Sequence, residues 1–347
     1  MRQAVMEATN GSLDYFLTNP NFPRLVAFAF EYPMQENVGA MIGDDNKGYF
    51  DSGMRNYLES TFNEENSPNY NASNLNYNNL FMEFVMEINL KMKKEFRYPL
   101  KNKYIFEKEF KRKYYHSSGI LICRGDNLAA TFKLLGGTNV SDCGHQHDDA
   151  GTYQIMKNKV IVAGDVGGPI YYEGNWKDRY NGPIFNSYSH PLPIIDDKLQ
   201  VRSTAYYSSI FRPKVLDTFF SDEIDKITFD LKAAYNCSSL VSLNRTNTFY
   251  RSKSQVKIKD SVIFSKPTKF EVALSTRGEI LNLSKKGLKK IRGTLSYLNV
   301  TLNFMIQSQH DFKYIIDKQH INGVIFTRLG ISFQIPKLRI IVYTVYD

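Results

Sequence analysis

Cysteine is scarce in this chain: Cys123, Cys143 and Cys237 are the only three in 347 residues. An odd, widely spaced set with no Cys-x-x-Cys pair excludes a disulfide-stapled scaffold and a four-cysteine zinc site. Each reads as a small buried hydrophobe, with Cys143 a minor candidate for a soft metal ligand. Long apolar runs are missing as well. No stretch approaches the roughly 20 residues a helix needs to cross a bilayer, so no membrane span is expected. The opening Met-Arg-Gln-Ala-Val-Met-Glu-Ala-Thr-Asn lacks the apolar core of a secretory signal. The expectation is a cytoplasmic chain or one whose beginning lies upstream. Internal repeats and low-complexity tracts are absent, and an apolar fraction of 42% excludes a disordered polymer. Histidine is rare at six residues, which gives weight to any two that stand together.

The net charge is +9, a moderate excess that favours an anionic partner such as nucleic acid, acidic lipid or acidic sugar. Much of it lies in one stretch: Lys91, Lys93, Lys94, Arg97, Lys101, Lys103, Lys108, Lys111, Arg112 and Lys113. That stretch is not patterned for stacking bases, so it reads as a solvated helix end and linker, and no nucleic-acid partner is assigned.

The length suits two domains. Residues 1–114 have helical texture. Leu80, Phe81, Phe84, Val85, Ile88 and Leu90 trace one apolar face at three-to-four spacing, and Pro99 stops its continuation. Shorter helical stretches are expected over 25–32, entered through Pro23, and over 54–62. Residues 115–347 change to short apolar or alternating runs punctuated by Gly, Asn, Asp and Ser. Ile120 to Cys123, Thr152 to Met156, Val160 to Ala163, Val256 to Phe264, Phe270 to Leu274, Val324 to Phe326 and Ile340 to Val345 are examples. Asn158 and Lys159 mark a hairpin turn between the second and third of these. The fold class expected is α+β in two domains, a short helical region followed by a large antiparallel β-sandwich.

The most informative segment is Gly144-His145-Gln146-His147-Asp148-Asp149-Ala150-Gly151. On a strand, positions i and i+2 share a face, so His145 and His147 would point into one space. Asp165 follows in Val160-Ile161-Val162-Ala163-Gly164-Asp165, and His190 in Tyr188-Ser189-His190-Pro191. Two imidazoles, a carboxylate and a further histidine are a zinc inventory whose spacing suits ligands on successive strands. Pro191 holds His190 to extended backbone, as at a strand edge. The bland alternative is a surface pair or a satisfied core histidine. His116, His310 and His320 lack such context and read as structural or surface.

His145 to Asp149 also matches the opening of the metallo-β-lactamase-type His-x-His-x-Asp-His signature. Ala150, however, stands where that motif needs a second-metal histidine, and helices rather than strands precede it.

A second resemblance covers more of the chain. Tyr115 to Arg124, Gly144 to Tyr153, Gly164-Asp165-Val166-Gly167 and Ser189 to Asp196 with Gln200 resemble, in order, the heparinase II/III-like polysaccharide lyases. So do Ala233-Ala234-Tyr235, Leu243-Asn244-Arg245 and the loop Gly43-Asp44-Asp45-Asn46-Lys47-Gly48. The resemblance implies an incomplete (α/α) toroid, of which 1–114 would be the last part, and a β-sandwich over 115–347. Acidic polysaccharide would bind between them and be cleaved by β-elimination. It implies Zn2+ held by His147, Asp165 and His190, organising the site rather than activating water.

The resemblance also places His145 facing the substrate, to neutralise a uronate carboxylate or assist proton transfer. It implies a cleft tyrosine between Asp165 and His190. Tyr171, Tyr172 and Tyr180 are the candidates, with Tyr180 preferred and Tyr172 next. Arg179 is then a carboxylate partner, and Gln146 is grouped with it as substrate-binding.

The family's principal catalytic tyrosine lies in the toroid, and Tyr15, Tyr32 and Tyr49 lack its context. The expectation is an inactive or weakly active relative, or a piece of a longer lyase. A shortened toroid would expose apolar helix surface fit for a homo-oligomer or another subunit. Members of the family are usually periplasmic or secreted. A non-catalytic glycan-binding relative with a structural zinc is the alternative.

Overall fold

The computed structural model describes residues 9, 12, 31–35, 38–42, 45, 111–134, 147–170, 176–202, 212–333 and 337–347. The helices expected within 1–114 fall almost entirely outside these. One compact unit of the chain comprises Met34–Glu36, Ala40–Gly48 and Lys111–Asp347, and every strand among the described residues belongs to it. In chain order these are β1 (Arg112–Tyr115), β2 (Ile120–Arg124), β3 (Leu128–Lys133), β4 (Thr152–Lys157), β5 (Val160–Gly164) and β6 (Ile194–Ile195). Next come β7 (Lys214–Phe220), β8 (Ile224–Asp230), β9 (Leu240–Tyr250), β10 (Gln255–Thr268), β11 (Phe270–Thr276) and β12 (Glu279–Lys285). The last are β13 (Lys290–Tyr297), β14 (Val300–Ser308), β15 (Lys313–Ile321), β16 (Val324–Ser332) and β17 (Lys337–Tyr346).

They form three antiparallel sheets. The first is a five-stranded meander from β1 to β5. The second has eight strands in the order β12-β13-β14-β17-β10-β9-β8-β7, and the third four in the order β15-β16-β11-β6. The large antiparallel sandwich expected after residue 115 is therefore present.

Residue pattern explains the layering. In β8 and β10 buried and half-buried positions alternate, the period-two signature of a sheet with one face on the core. In β2, β3 and β4 nearly every residue is buried, so the meander is covered on both faces. β5 packs against β11, β13 and β14. One core joins Leu121, Phe132 and Ile155 of the first sheet to Phe229, Phe249 and Ile258 of the second and Leu274 and Leu329 of the third. Burial of each such side chain contributes about 1.5–3 kcal/mol. Edge strands β7 and β12 are largely exposed, and edge strand β15 carries Lys313 and Lys318, charges that discourage unwanted strand addition.

The β4–β5 hairpin turns at Asn158 and Lys159, both at positive φ (48° and 65°), as a two-residue primed turn requires. The basic stretch ends differently from expectation. Arg112 and Lys113 are not linker but the start of β1. Arg112 pairs with the buried carboxylate of Asp225 and the carbonyl of Ser221, and that satisfied partner holds it in the sheet.

Candidate metal centre

Three chain segments carry the buried histidines and carboxylates of the cluster, and a fourth, β3, carries Lys133. β3 ends in Lys133, and the Gly151 N–H donates to the Lys133 carbonyl at 2.9 Å, which seats residues 147–151 against the strand end. Gly151 has φ +85°, and a Cβ there would lie 2.7 Å from Leu231 side-chain atoms. Glycine is therefore needed for the turn. At the end of β5, Gly164 has φ +108°, and a Cβ would meet the Tyr153 carbonyl oxygen at 2.1 Å. That turn lets the Asp165 N–H donate to the Tyr153 carbonyl at 2.8 Å while its carboxylate leaves the strand direction. The third segment runs through turns to His190.

Two expectations about backbone are corrected here. His147 lies in the loop before β4, not on a strand, and His190 lies in a turn rather than at a strand edge. The reason is local: the Leu192 N–H folds back onto the His190 carbonyl at 2.7 Å, and the Ser189 N–H onto the Pro183 carbonyl at 3.2 Å.

The side chains nevertheless converge. One donor atom each from His147, Asp149 and His190 lies within 4.8 Å of the others, and the two imidazole centroids are 5.4 Å apart. Asp165 touches the same histidine, its Oδ1 being 2.9 Å from His190 Nδ1. That approach lacks the alignment of a hydrogen bond, and neither ring nitrogen of His190 has a hydrogen-bond partner among the described residues. Asp149 Oδ1 also lacks one. Lys133 Nζ pairs with Asp149 Oδ2 and lies 3.9 Å from Asp165 Oδ2. All five residues are at most 3% exposed.

Sequence reasoning named His147, Asp165 and His190 but missed Asp149 and Lys133. Asp149 stands two residues after His147, just as His145 stands two before it, and that spacing was the available signal.

The electrostatics follow from burial and pairing. Burial alone would raise the Asp165 carboxyl, but His190, Lys133 and His147 outweigh it and hold the group well below the usual carboxylate range. Burial alone would lower His190, but the Asp165 and Asp149 carboxylates outweigh it and raise its imidazole above the ordinary value. Lys133 Nζ lies against both carboxylates, and their negative charge favours the protonated form of the His190 imidazole. A divalent cation replaces such a proton when imidazole and carboxylate donors converge on it. Buried nitrogens and an oxygen without hydrogen bonds, in a set of His and Asp ligands, fit zinc by donor chemistry.

The loops are fastened from behind. Arg245 Nη1 donates to the carbonyls of Gly151 (2.9 Å) and Pro191 (2.8 Å), tying the His147 loop to the His190 segment. Asp260, opposite Arg245 in the β9–β10 register, holds that guanidinium through Nε (2.8 Å) and Nη2 (2.9 Å). Gln200 brackets Ala150, accepting from its N–H at 3.0 Å and donating to its carbonyl at 2.8 Å. Tyr235 donates to the Pro193 carbonyl at 2.8 Å. Gln154 does the same for Met41, accepting from its N–H and donating to its carbonyl, each at 2.8 Å, while also reaching the Asp165 carbonyl at 3.2 Å. Position 150, where a two-metal hydrolase would need a histidine, is a fully buried alanine.

Tyr180 is nearly buried, at 9% exposure. Its ring edge meets Phe185 at 6.4 Å, and Phe185 in turn meets the His147 ring at 5.2 Å. The Arg179 guanidinium lies 4.5 Å and that of Arg202 5.0 Å from the Tyr180 ring centroid. Arg179 also donates to the phenol oxygen at 3.2 Å. Positive charge therefore flanks this phenol. His145, Gln146, Tyr171, Tyr172 and Cys143 lie outside the described residues.

No family model and no curated protein sequence matches this chain. Solved structures do. The crystal structure of heparan sulfate lyase HepC from Pedobacter heparinus superposes with a TM-score of 0.63 at 14% identity, covering 99% of this chain and 50% of that one. A crystal structure of heparinase III gives a TM-score of 0.62 at 15% identity, covering 99% and 51%. The heparinase III BT4657 gene product gives 0.62 at 14% identity, covering 97% and 47%. The chain thus has a heparinase-like fold and spans about half the length of the structures it matches.

Proposed function

We propose that this chain is a polysaccharide lyase-family protein acting on acidic, uronate-containing glycans by β-elimination, with Zn2+ held by His147, Asp165 and His190. The observation that supports the reading is that His147 and His190 meet in one buried cluster of a heparinase-like fold, with Asp165 against His190. Zinc supplies a fixed anchor for the two loops. Its role in this reading is to orient neighbouring side chains, not to activate water.

The chemistry asks for three things. A base removes the proton at C5, the C4–O4 bond breaks as the C4–C5 double bond forms, and the departing O4 takes up a proton. Charge accumulates next to the uronate carboxylate, so donors and cations must face it. In this reading His145 meets the carboxylate or moves the proton. Tyr180, with Tyr172 as the other candidate, lines the cleft and exchanges a proton at its phenol oxygen. Arg179, with Gln146, binds the carboxylate, and the Arg179–Tyr180–Arg202 stack supports a site for an anion. No residue of 1–114 is given a proton-transfer role. The net charge of +9 agrees with an acidic polymer as partner.

The burial of the metal donors favours a second reading, a glycan-binding relative in which the ion is purely structural. Ultraviolet absorbance of the unsaturated product separates the two. Heparan sulfate, alginate and hyaluronan are each incubated with the chain. A rising absorbance with at least one glycan supports β-elimination. Retention of a glycan without absorbance assigns the chain to the binding class, and neither signal with any acidic glycan contradicts both.

A further inference from the structure

We propose that Asp149 is a fourth protein ligand of the metal and that Lys133 orients it, so that the coordination shell is closed to exogenous ligands. This deepens the metal site proposed above and rests on it.

The geometry points to Asp149 independently of Asp165. Asp149 shares with His147 and His190 the set of donor atoms lying within 4.8 Å of one another. Its two oxygens have different surroundings: Oδ2 is taken by Lys133, whereas Oδ1 has no hydrogen-bond partner among the described residues although the residue is fully buried. A buried carboxylate oxygen left without a partner is destabilising, so its persistence argues for a ligand. Asp165 has the complementary arrangement. Its Oδ1 accepts from the Gly167 N–H at 2.8 Å and faces His190 Nδ1, while its Oδ2 looks toward Lys133 at 3.9 Å. Lys133 therefore stands behind both carboxylates and offsets one of their two charges.

The consequence is chemical. With Asp165, which contacts His190 but lies outside the set of donors within 4.8 Å of one another, two imidazoles and two carboxylates would complete a four-coordinate shell, the arrangement of a structural zinc rather than one that keeps a position for water or substrate. Lys133 acts through Asp149 as a positioning residue, the part usually played by groups that hold a ligand's second atom. Without it, Asp149 would be free to turn, and two unneutralised carboxylates would crowd the ion.

Cobalt reports coordination directly. The full chain is stripped with a chelator, reloaded with Co2+, and its visible absorption is recorded during titration with azide. The expected result is an intense four-coordinate spectrum that azide does not shift. In Asp149→Asn the spectrum changes and azide shifts it saturably. In Lys133→Met, Co2+ binds about 10- to 100-fold more weakly and azide sensitivity appears. Azide binding to the unchanged chain overturns the closed shell, and that arm needs no variant to fold. An Asp149→Asn spectrum identical to the unchanged chain, in protein whose circular dichroism is native, removes Asp149 from the shell. Failure of the unchanged chain to bind Co2+ or Zn2+ at all contradicts the metal site itself, a result distinct from either of those.

Discussion

Two buried polar clusters lie side by side in this molecule, and they are finished differently. Around Arg245, four hydrogen bonds close the guanidinium against Asp260, Gly151 and Pro191. Around His190, Asp165 Oδ1 approaches Nδ1 at 2.9 Å without the alignment of a hydrogen bond, and Asp149 Oδ1 and His190 Nε2 have no hydrogen-bond partner among the described residues. Burial is the same, below 6% exposure for every member. A closed network is complete as protein and fixes loops. An open one of the same burial leaves donors that could hold an ion. The closed cluster is the frame, and the open cluster is what it frames.

The strongest way to break the comparison is to open the closed cluster. Arg245→Met leaves the Asp260 carboxylate buried without its cation and two backbone carbonyls without donors. A loss of about 3–5 kcal/mol in urea unfolding is expected with chelator present, and a larger one with zinc present, because both ligand loops lose their tie and metal binds more weakly. An effect under about 1 kcal/mol would show that the frame is not carried by this pair.

Metal removal attacks the open cluster alone. Chelation of the unchanged chain is expected to lower stability by about 2.7 kcal/mol relative to free zinc at one hundred times the dissociation constant. Differential scanning measurements at stepped zinc concentrations check this. A melting temperature independent of zinc would remove the distinction between the clusters.

A smaller effect sharpens it. Tyr153 belongs to the closed side, its phenol hydrogen-bonded to that of Tyr346 at 2.7 Å. Burial pushes Tyr153 up to about 12 and Tyr346 well above its usual 10.0. The unfolded chain releases these protons near pH 10, while the folded chain keeps them, so stability is intact below pH 10 and falls as pH rises through and above it. The expected slope is up to about 1.4 kcal/mol per pH unit for each tyrosine. Tyr153→Phe should reduce it in denaturant unfolding between pH 9 and 11, and an unchanged slope would count against the assignment.

Much of this was legible in the residues. The β4–β5 hairpin was visible because Asn158 interrupts two apolar runs, and the sandwich because strand-length runs recur to the C-terminus. Sheet partners were not legible, since period-two alternation gives a face but not a neighbour. Thus nothing in Leu243-Asn244-Arg245 announced that Arg245 faces Asp260 and ties Gly151 to Pro191. His147, Asp165 and His190 were named through a resemblance; the structure groups His147 and His190 with Asp149, on turns rather than strands, and sets Asp165 against His190. Lys133 was not legible. A lysine ending an apolar strand reads as a solvent-facing residue, because burial of such a charge depends on partners far along the chain, Asp149 and Asp165.

The central claim is that the open cluster holds a metal ion, and elemental analysis tests it most directly. Chain purified without added metal or chelator should carry about one zinc per molecule, and His190→Ala should carry less than about a tenth of that. Folded, unchanged chain that holds no stoichiometric metal, and takes up none from a zinc-containing buffer, would contradict the account.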